Sequence, residues 1–169
     1  MSTECLIALR RENVDLLEQL RALLNTLTPE QYQYARQPFE RGGIGKHVRH
    51  VLDHYTACLE STDAAVDYES RVRDLDLETD PIVAADACSR VCSILSDYGS
   101  PISVGSVRYT WGTGACDMET SPGRELHFLS SHTVHHMALI SFILSSMDSP
   151  VPQDFGVAFS TLRFEAGSR

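Results

Sequence analysis

Apolar residues recur every three or four positions in four long segments of the chain, and this spacing predicts four amphipathic helices. The predicted helices cover residues of about 3–27, 43–61, 80–98 and 121–147. Asp80-Pro81 and Ser121-Pro122 each place a capping side chain before a proline, which is typical of a helix start. The third and fourth helices therefore begin at these two positions.

The segments between the predicted helices have different patterns. Residues of about 102–118 contain β-branched and aromatic side chains around a Gly-Thr-Gly turn, which predicts a small β-hairpin. The charged stretch 67–79 is predicted to be a connection, and the proline- and glycine-containing tail 151–164 to lie extended. The chain is accordingly predicted to be an all-α protein, an antiparallel four-helix bundle with the hairpin between helices 3 and 4.

The candidate chemistry lies in seven histidines, which form two groups. The groups are His47, His50 and His54, then His127, His132, His135 and His136. His132 and His136 lie one turn apart on the apolar stripe of the last helix, where unpaired polar groups are costly. Such a pair can offer two nitrogens to zinc or a similar divalent ion. Hydrogen bonds to carbonyl or carboxylate groups are the alternative, and the second histidine group favours the metal.

The second helix offers three candidates for a third ligand. His47, His50 and His54 lie on one stripe at the edge of the apolar face, and His50 is furthest from its centre. Periodicity slightly favours His47 or His54, but spacing alone leaves the choice open. Three protein ligands with an open position are typical of catalytic zinc sites, and four are typical of structural ones.

Two motifs resemble those of one protein superfamily. Residues 43–54 read Gly-Ile-Gly-Lys-His-Val-Arg-His-Val-Leu-Asp-His, and the last helix carries a His-x-x-His-His pattern from His132 to His136. Together they resemble the second and last helices of the DinB-like (DinB/YfiT) superfamily of metal-binding four-helix bundles. The resemblance extends to about residue 147 and implies that residues 1–169 form a single DinB-like domain.

The resemblance also implies a metal site and a reaction. His50, His132 and His136 would hold one divalent ion, with nickel or zinc expected first and iron or manganese next. The implied activity is metal-dependent transfer of a low-molecular-weight thiol, or a related transferase or hydrolase reaction, on a small thiol or thiol conjugate. The chain departs from the family in having Met137-Ala-Leu where Arg-Gly-Gln is common, and in its hairpin. A non-catalytic metal-binding or stress-response protein, stabilised by the ion, is the alternative.

Further polar residues could support the ligands. His47, His54, His135 and Asp53 are candidates to orient metal-bound imidazoles or, for the histidines, to carry protons. Packing is the alternative role for the histidines, and a solvated helix surface is favoured for Asp53. His127 is predicted to be solvated or to lie at an interface.

The connection and the hairpin contain candidates for substrate binding. Tyr68, Arg71 and Arg73 could hold an anionic substrate at the mouth of the bundle, since guanidinium groups suit carboxylates. A salt-bridged surface loop is the favoured alternative. Tyr109 and Trp111 could form a pocket wall, or could pack only with each other across the hairpin.

Composition restricts the partners and the location. A net charge of −9 without a basic cluster disfavours nucleic acid. The longest apolar run, Met137 to Leu144, is too short to span a membrane. Five cysteines without a signal pattern predict reduced thiols in the cytoplasm, with Cys88 and Cys92 favoured as small buried residues over a second metal site. The leucine-rich first helix predicts a homodimer formed by helix faces.

Overall fold

The computed structural model describes residues 2–34, 43–61 and 65–167, and these are mainly helical with a small three-stranded sheet. The long helices are α1 Thr3–Leu24, α3 Ile44–Leu59, α5 Pro81–Ser96 and α6 Pro122–Ser146. The short helices are α2 Pro29–Tyr32, α4 Asp76–Thr79 and α7 Phe159–Gly167. The strands are β1 Ala65–Val66, β2 Ser106–Trp111 and β3 Gly114–Glu119. The mainly helical class predicted from periodicity is confirmed.

Both predicted helix starts are capped by the expected side chains. Asp80 accepts a hydrogen bond from the backbone N–H of Ile82 at 2.8 Å, and Ser121 accepts one from Arg124 at 3.3 Å. Each cap satisfies one of the N–H groups that a helix start leaves without an intrahelical partner. The register of α6, which carries the second histidine group, is therefore set at its first turn.

The four long helices enclose one apolar core. α1 packs against α5 and α6, and α3 packs against the same two helices. Most of the α1 leucines that suggested a dimer face point into this core: Leu16, Leu17, Leu20, Leu23 and Leu24 are buried, and Leu6 and Leu9 are partly buried against it. Cys88 and Cys92 are buried there as well, and burial raises the pKa of both thiols to about 12. These two residues act as small core side chains, as predicted.

The start of α3 is held by an unusually close backbone approach. A Cβ atom at Gly45 would lie 2.0 Å from the carbonyl oxygen of Glu78 and 3.1 Å from the ring of Tyr32. The Tyr32 hydroxyl in turn donates to the carbonyl of Leu77 in α4. Only glycine leaves room for this contact. It fixes the height of α3 relative to α4 two residues before the first histidine.

The hairpin belongs to a larger sheet than the sequence predicted. β2 and β3 are antiparallel from Ser106↔Glu119 to Trp111↔Gly114, and Gly112 has a φ of +48° in the two-residue loop. β1 pairs with β2 in parallel, with Ala65 opposite Ser106. This third strand attaches the hairpin to the segment that follows α3.

Three predicted boundaries are corrected by the structure. The tail is not extended throughout: Phe159–Gly167 is helical, because the prolines and Gly156 all precede it. α1 ends at Leu24 rather than at residue 27. Just after this end, the Thr26 hydroxyl donates to the carbonyl of Leu23. The charged connection contains α4, which buries Leu77. Among the helices of the described segments, none is long and apolar enough to cross a membrane.

Candidate metal centre

Five histidines from two helices form one continuous cluster. His47, His50 and His54 project from α3, and His132 and His136 project from the facing surface of α6. The ring centroids of His50 lie 4.4 Å from His54, 4.9 Å from His132 and 4.7 Å from His136. The two histidine groups recognised in the sequence therefore meet at the α3–α6 interface.

Two imidazoles at the centre of the cluster face each other. Nε2 of His50 lies 3.1 Å from Nε2 of His132, a hydrogen-bonding distance that requires a proton on one nitrogen only. The other ring nitrogen of His132, Nδ1, is buried and has no hydrogen-bond partner among the described residues. Buried polar atoms are usually satisfied, so this pair is not a complete hydrogen-bonded arrangement.

His54 completes a group with the spacing of metal ligands. Its Nδ1 lies 2.7 Å from the carbonyl oxygen of His50, and because a carbonyl can only accept, Nδ1 carries the proton. Nε2 of His54 then keeps a free lone pair, the form in which imidazole binds a metal. One candidate ligand atom from each of His50, His54 and His132 lies within 4.8 Å of the others, so these residues could hold a metal ion.

His136 lies beside this group and is paired with His47. Their Nδ1 atoms are 2.9 Å apart. If His136 donates to His47, Nε2 of His136 is left free to bind a metal and His47 orients the ring. The structure therefore places His54 where the sequence and the resemblance placed His136, and the assignment of His136 as a ligand stays a prediction.

The environment of the cluster keeps the imidazoles neutral. Burial, followed by the charges of neighbouring histidines, lowers the pKa of His50 to about 4, of His136 to about 3 and of His132 to about 2. Burial also lowers the pKa of His54, although the hydrogen bond to the His50 carbonyl opposes this. Neutral imidazole is the form that binds a divalent ion, so these side chains need not lose protons at neutral pH.

A buried group of charges adjoins the cluster. Arg71 donates to Nδ1 of His50 at 2.8 Å and also to the carbonyl of Tyr68. Asp53 is only 5 % exposed. Its Oδ2 atom lies 3.7 Å from Nε of Arg49 and 4.0 Å from Nε of Arg71. Burial raises the pKa of Asp53, and the two arginines oppose that shift. The interpretation of Asp53 as part of a solvated surface was wrong, since its carboxylate is buried beside Arg49 and Arg71.

The Arg71 contact determines which nitrogen of His50 is protonated. Guanidinium groups cannot accept a hydrogen bond, so Nδ1 of His50 is the acceptor and a neutral ring carries its proton on Nε2. Coordination through Nε2 requires that proton on Nδ1 instead. Metal binding by this nitrogen therefore requires the hydrogen bond from Arg71 to break.

A pocket of about 350 Å³ opens beside the cluster and has His54 in its wall. Its lining includes Tyr68 and Phe128, which contact His54, and the hairpin residues Val107, Tyr109 and Met118, which form the hairpin wall. The Tyr68 ring stacks on His54 with centroids 5.1 Å apart. The structure thus gives the hairpin a place in the candidate site, with Tyr109 as a wall residue.

Three of the other candidates are exposed: His127, His135 and Arg73. His127 is exposed, as predicted. His135 is also exposed and contacts the edge of the His136 ring. Arg73 is exposed, whereas Tyr68 is buried and Arg71 donates to both the Tyr68 carbonyl and His50, so the anion-binding role of these three residues stays a prediction.

The sequence contains a signal that pairs His54 with His50. His50 and His54 have the same four-residue spacing as His132 and His136, the pair that the sequence predicts to be ligands. The helical wheel placed His54 at the edge of the apolar face. The structure buries it because Tyr68 and Phe128, from two other segments, cover that edge.

Comparison with known proteins adds little to this geometry. No protein-family model matches the chain, and no solved structure matches it. Over 103 residues, 58 % of this chain, it is 26 % identical to FK506-binding protein 5 of Rhizopus delemar. The matched segment spans only 27 % of that protein, and a similarity of this extent does not show a family.

Proposed function

We propose that this protein binds one divalent metal ion in the histidine cluster and uses it in chemistry on a small thiol or thiol conjugate. The observation that carries the proposal is the approach of ligand nitrogens from His50, His54 and His132 to within 4.8 Å of one another. The donor set fits a borderline ion such as zinc or nickel, for which neutral imidazole is a suitable ligand. The His-x-x-His-His pattern of α6 and its resemblance to the DinB-like superfamily add support.

Two observations favour a metal over a purely hydrogen-bonded cluster. Nδ1 of His132 has no partner among the described residues, and the His50–His132 contact joins two nitrogens of the same kind. A structural histidine cluster would be expected to satisfy its ring nitrogens with carbonyl or carboxylate groups. His54 already has the tautomer required of a ligand.

The protein's own residues would prepare the reaction. The chemistry supplied by a bound divalent ion is a lower pKa for a thiol or water in its open position. His54 and Phe128 connect the cluster to the pocket, so a substrate there lies beside the ligands. Tyr68 donates to the buried carboxylate of Glu125 at 2.8 Å, which fixes its ring as a pocket wall. We infer a transferase or hydrolase acting on a thiol.

The alternative function is a metal-binding protein without turnover. A specific observation favours it: the ring of His136 lies beside those of His50 and His132, with centroids 4.7 and 4.5 Å away, so a fourth imidazole adjoins the ligand group. Four protein ligands would leave the ion coordinatively saturated and would stabilise the packing of α3 on α6. For the architecture, we propose that the four long helices form an antiparallel four-helix bundle of the DinB-like type.

The test begins with elemental analysis of protein purified without an affinity tag. We expect one nickel or zinc ion per chain, and a protein without metal after loading and desalting would contradict the proposal. Adding a small thiol to the cobalt-substituted protein should then change its visible spectrum. An unchanged spectrum, together with no thiol-transfer activity in the metal-loaded protein, would leave only the non-catalytic function, whereas activity that survives complete metal removal would refute the role of the metal in it.

We also propose that the protein is a homodimer in the cytoplasm. Exposed apolar side chains on the long helices, Ile82 and Ile94 on α5 and Phe142 on α6, support a helix-face interface. The inward-facing α1 leucines contribute less than the sequence suggested. Sedimentation of the full chain at micromolar concentration checks this, and a single species with the mass of one chain would contradict it.

A further inference from the structure

The pocket beside the histidine cluster combines aromatic walls with a buried carboxylate. Tyr68, Phe128 and Tyr109 supply the rings, and Glu125 lines the same pocket with a fully buried side chain. The hydroxyls of Tyr68 and Thr120 each donate a hydrogen bond to one of the two carboxylate oxygens of Glu125. Aromatic faces and a carboxylate together attract positive charge.

A side chain of the protein itself already occupies this combination. The guanidinium of Arg124 donates to Glu125 at 3.0 Å and its central carbon lies 5.5 Å from the centroid of the Phe128 ring. Arg124 therefore sits where an organic cation would find both an ion-pair partner and a ring face. Its side chain is 62 % exposed, so leaving this position requires little desolvation or unpacking.

The other charged residues of the pocket lining are one arginine and two glutamates. Arg108, the other cation in the lining, is held by Asp117 through bonds of 2.8 and 3.0 Å. Glu69 and Glu119 also line the pocket, and neither has an ion-pair partner in the part of the chain that the structure describes. An acidic ligand would meet these carboxylates, whereas an amine would not be repelled.

We propose that this pocket is the substrate subsite of the histidine cluster and selects a small organic cation, an amine attached to an aromatic or branched apolar body. The Arg124 guanidinium holds the cation position in the ligand-free protein and is displaced by the ligand ammonium. The apolar body lies between Phe128 and the hairpin wall, with its far end toward His54. For the proposed thiol chemistry, this means a thiol or thiol conjugate that carries an amine, not the acidic substrate expected from Arg71 and Arg73.

The experiment compares three probes of similar shape by isothermal titration calorimetry. These are 2-phenylethylamine, which is protonated at neutral pH, the neutral 2-phenylethanol and the anionic 3-phenylpropionate. With the native protein we expect the amine to bind about tenfold more tightly than the alcohol, as expected for a cation between aromatic rings and carboxylates. The anion should bind most weakly of the three.

The decisive variant is Arg124→Ala, because the two possible ligand charges predict opposite results. Removing the internal cation should tighten binding of the amine by about threefold or more, since the ligand no longer competes with Arg124. The matched control Arg163→Ala removes an exposed arginine of α7 and should leave all affinities unchanged. Glu69→Gln should weaken binding of the amine and leave binding of the alcohol unchanged.

Several outcomes would overturn the proposal. They are tighter binding of the anion than of the amine, loss of anion binding in Arg124→Ala, and equal affinities of amine and alcohol in that variant. Thermal unfolding of each variant checks that the fold is intact. The inference rests on the proposed function only for the role of substrate, so each titration is repeated with metal-loaded and metal-free protein. Amine selectivity without any metal retention would refute the proposed function alone, and metal retention without amine selectivity would refute this inference alone.

Discussion

Two buried polar groups lie side by side between the helices, and they differ in how completely their hydrogen bonds are made. In the first, Asn13 donates to the carbonyls of Leu9 and Leu126 and accepts from the Tyr55 hydroxyl at 2.6 Å. Thr133 donates to its own helix and lies 3.1 Å from the same hydroxyl. The second is the histidine cluster, in which two contacts join nitrogen to nitrogen and Nδ1 of His132 has no partner among the described residues.

The comparison is sharpened by sequence neighbours. His54 precedes Tyr55 on α3, and His132 precedes Thr133 on α6, so each helix contributes to both groups. Residues that are adjacent on each helix therefore belong to two different groups. In one group the hydrogen bonds are complete, and in the other Nδ1 of His132 has no partner among the described residues. A closed network of this kind stabilises the fold, whereas unfilled nitrogen acceptors are useful only when something else binds them.

The largest expected effect comes from removing a central member of the unsatisfied group. His132→Ala should weaken metal binding by about a hundredfold or more, because a direct ligand contributes more than the outer contacts whose loss costs about 10- to 100-fold. Elemental analysis after dialysis against a weak chelator measures the loss. His127→Ala, which alters an exposed histidine of the same helix, is the control, and a stoichiometric ion in the His132 variant would refute the site.

Breaking the satisfied group should affect stability and not metal content. Asn13→Leu leaves the Tyr55 hydroxyl and the Leu126 carbonyl without their partner, and should lower the free energy of unfolding by about 3 kcal/mol. Urea unfolding of metal-free protein measures this. Retention of full stability would show that the network is not closed by Asn13, and loss of the metal would show that the two groups are not independent.

The pH dependence of stability should distinguish the groups as well. In metal-free protein the pKa of His50 is lowered to about 4, of His136 to about 3 and of His132 to about 2, all below the unfolded value of about 6.5. Between pH 6.5 and 4 the unfolded chain therefore binds protons that the folded chain does not. The free energy of unfolding should fall as the pH falls through this range, by up to about 1.4 kcal/mol per pH unit for each histidine before solvent screening.

Urea unfolding at a series of pH values checks this slope. His132→Phe should reduce the slope, whereas Thr133→Val, one residue along in the satisfied network, should shift stability without changing it. A metal-free protein whose stability is constant from pH 7 to pH 4 would contradict the depressed pKa values of the cluster.

The smallest expected effect concerns the contact that opposes metal binding. Arg71→Gln replaces a side chain that can only donate to Nδ1 of His50 by one whose carbonyl can accept, and should tighten metal binding about threefold. Competition with a chromophoric chelator measures the change. Arg49→Gln is the matched control, because it removes the same charge beside Asp53 without contacting a histidine. Weaker binding in the Arg71 variant would show that the guanidinium supports the site.

Features that depend on neighbours in sequence could be predicted. The caps at Asp80 and Ser121 follow from single side chains, and the meeting of the two histidine groups follows from their positions on two amphipathic helices. The burial of His54 could not be predicted from its own helix, because it depends on Tyr68 and Phe128 from other segments. Residues of β1 have no strand pattern of their own, since this strand is defined only by its pairing with β2.

The pocket illustrates the same limit for the candidate site. Its walls come from α3, the connection that contains Tyr68, the hairpin and the start of α6. Charged residues of the connection suggested an anion site. In the structure, Arg71 donates a hydrogen bond to His50 and Arg73 is exposed. Which arginine meets a ligand depends on tertiary packing, which spacing along the chain does not encode.

The parallel pairing of β1 with β2 has a consequence for the order of folding. Ala65 and Ser106 are separated by about forty residues, including the whole of α5, and closing so long a loop carries an entropic cost before any contact compensates for it. The α3–α6 contact that assembles the histidines closes a longer loop still, since His50 and His132 are 82 residues apart, so it carries at least the same cost. A refolding chain should therefore form its helices and the β2–β3 hairpin first, and complete the histidine cluster and the pocket together in a later step.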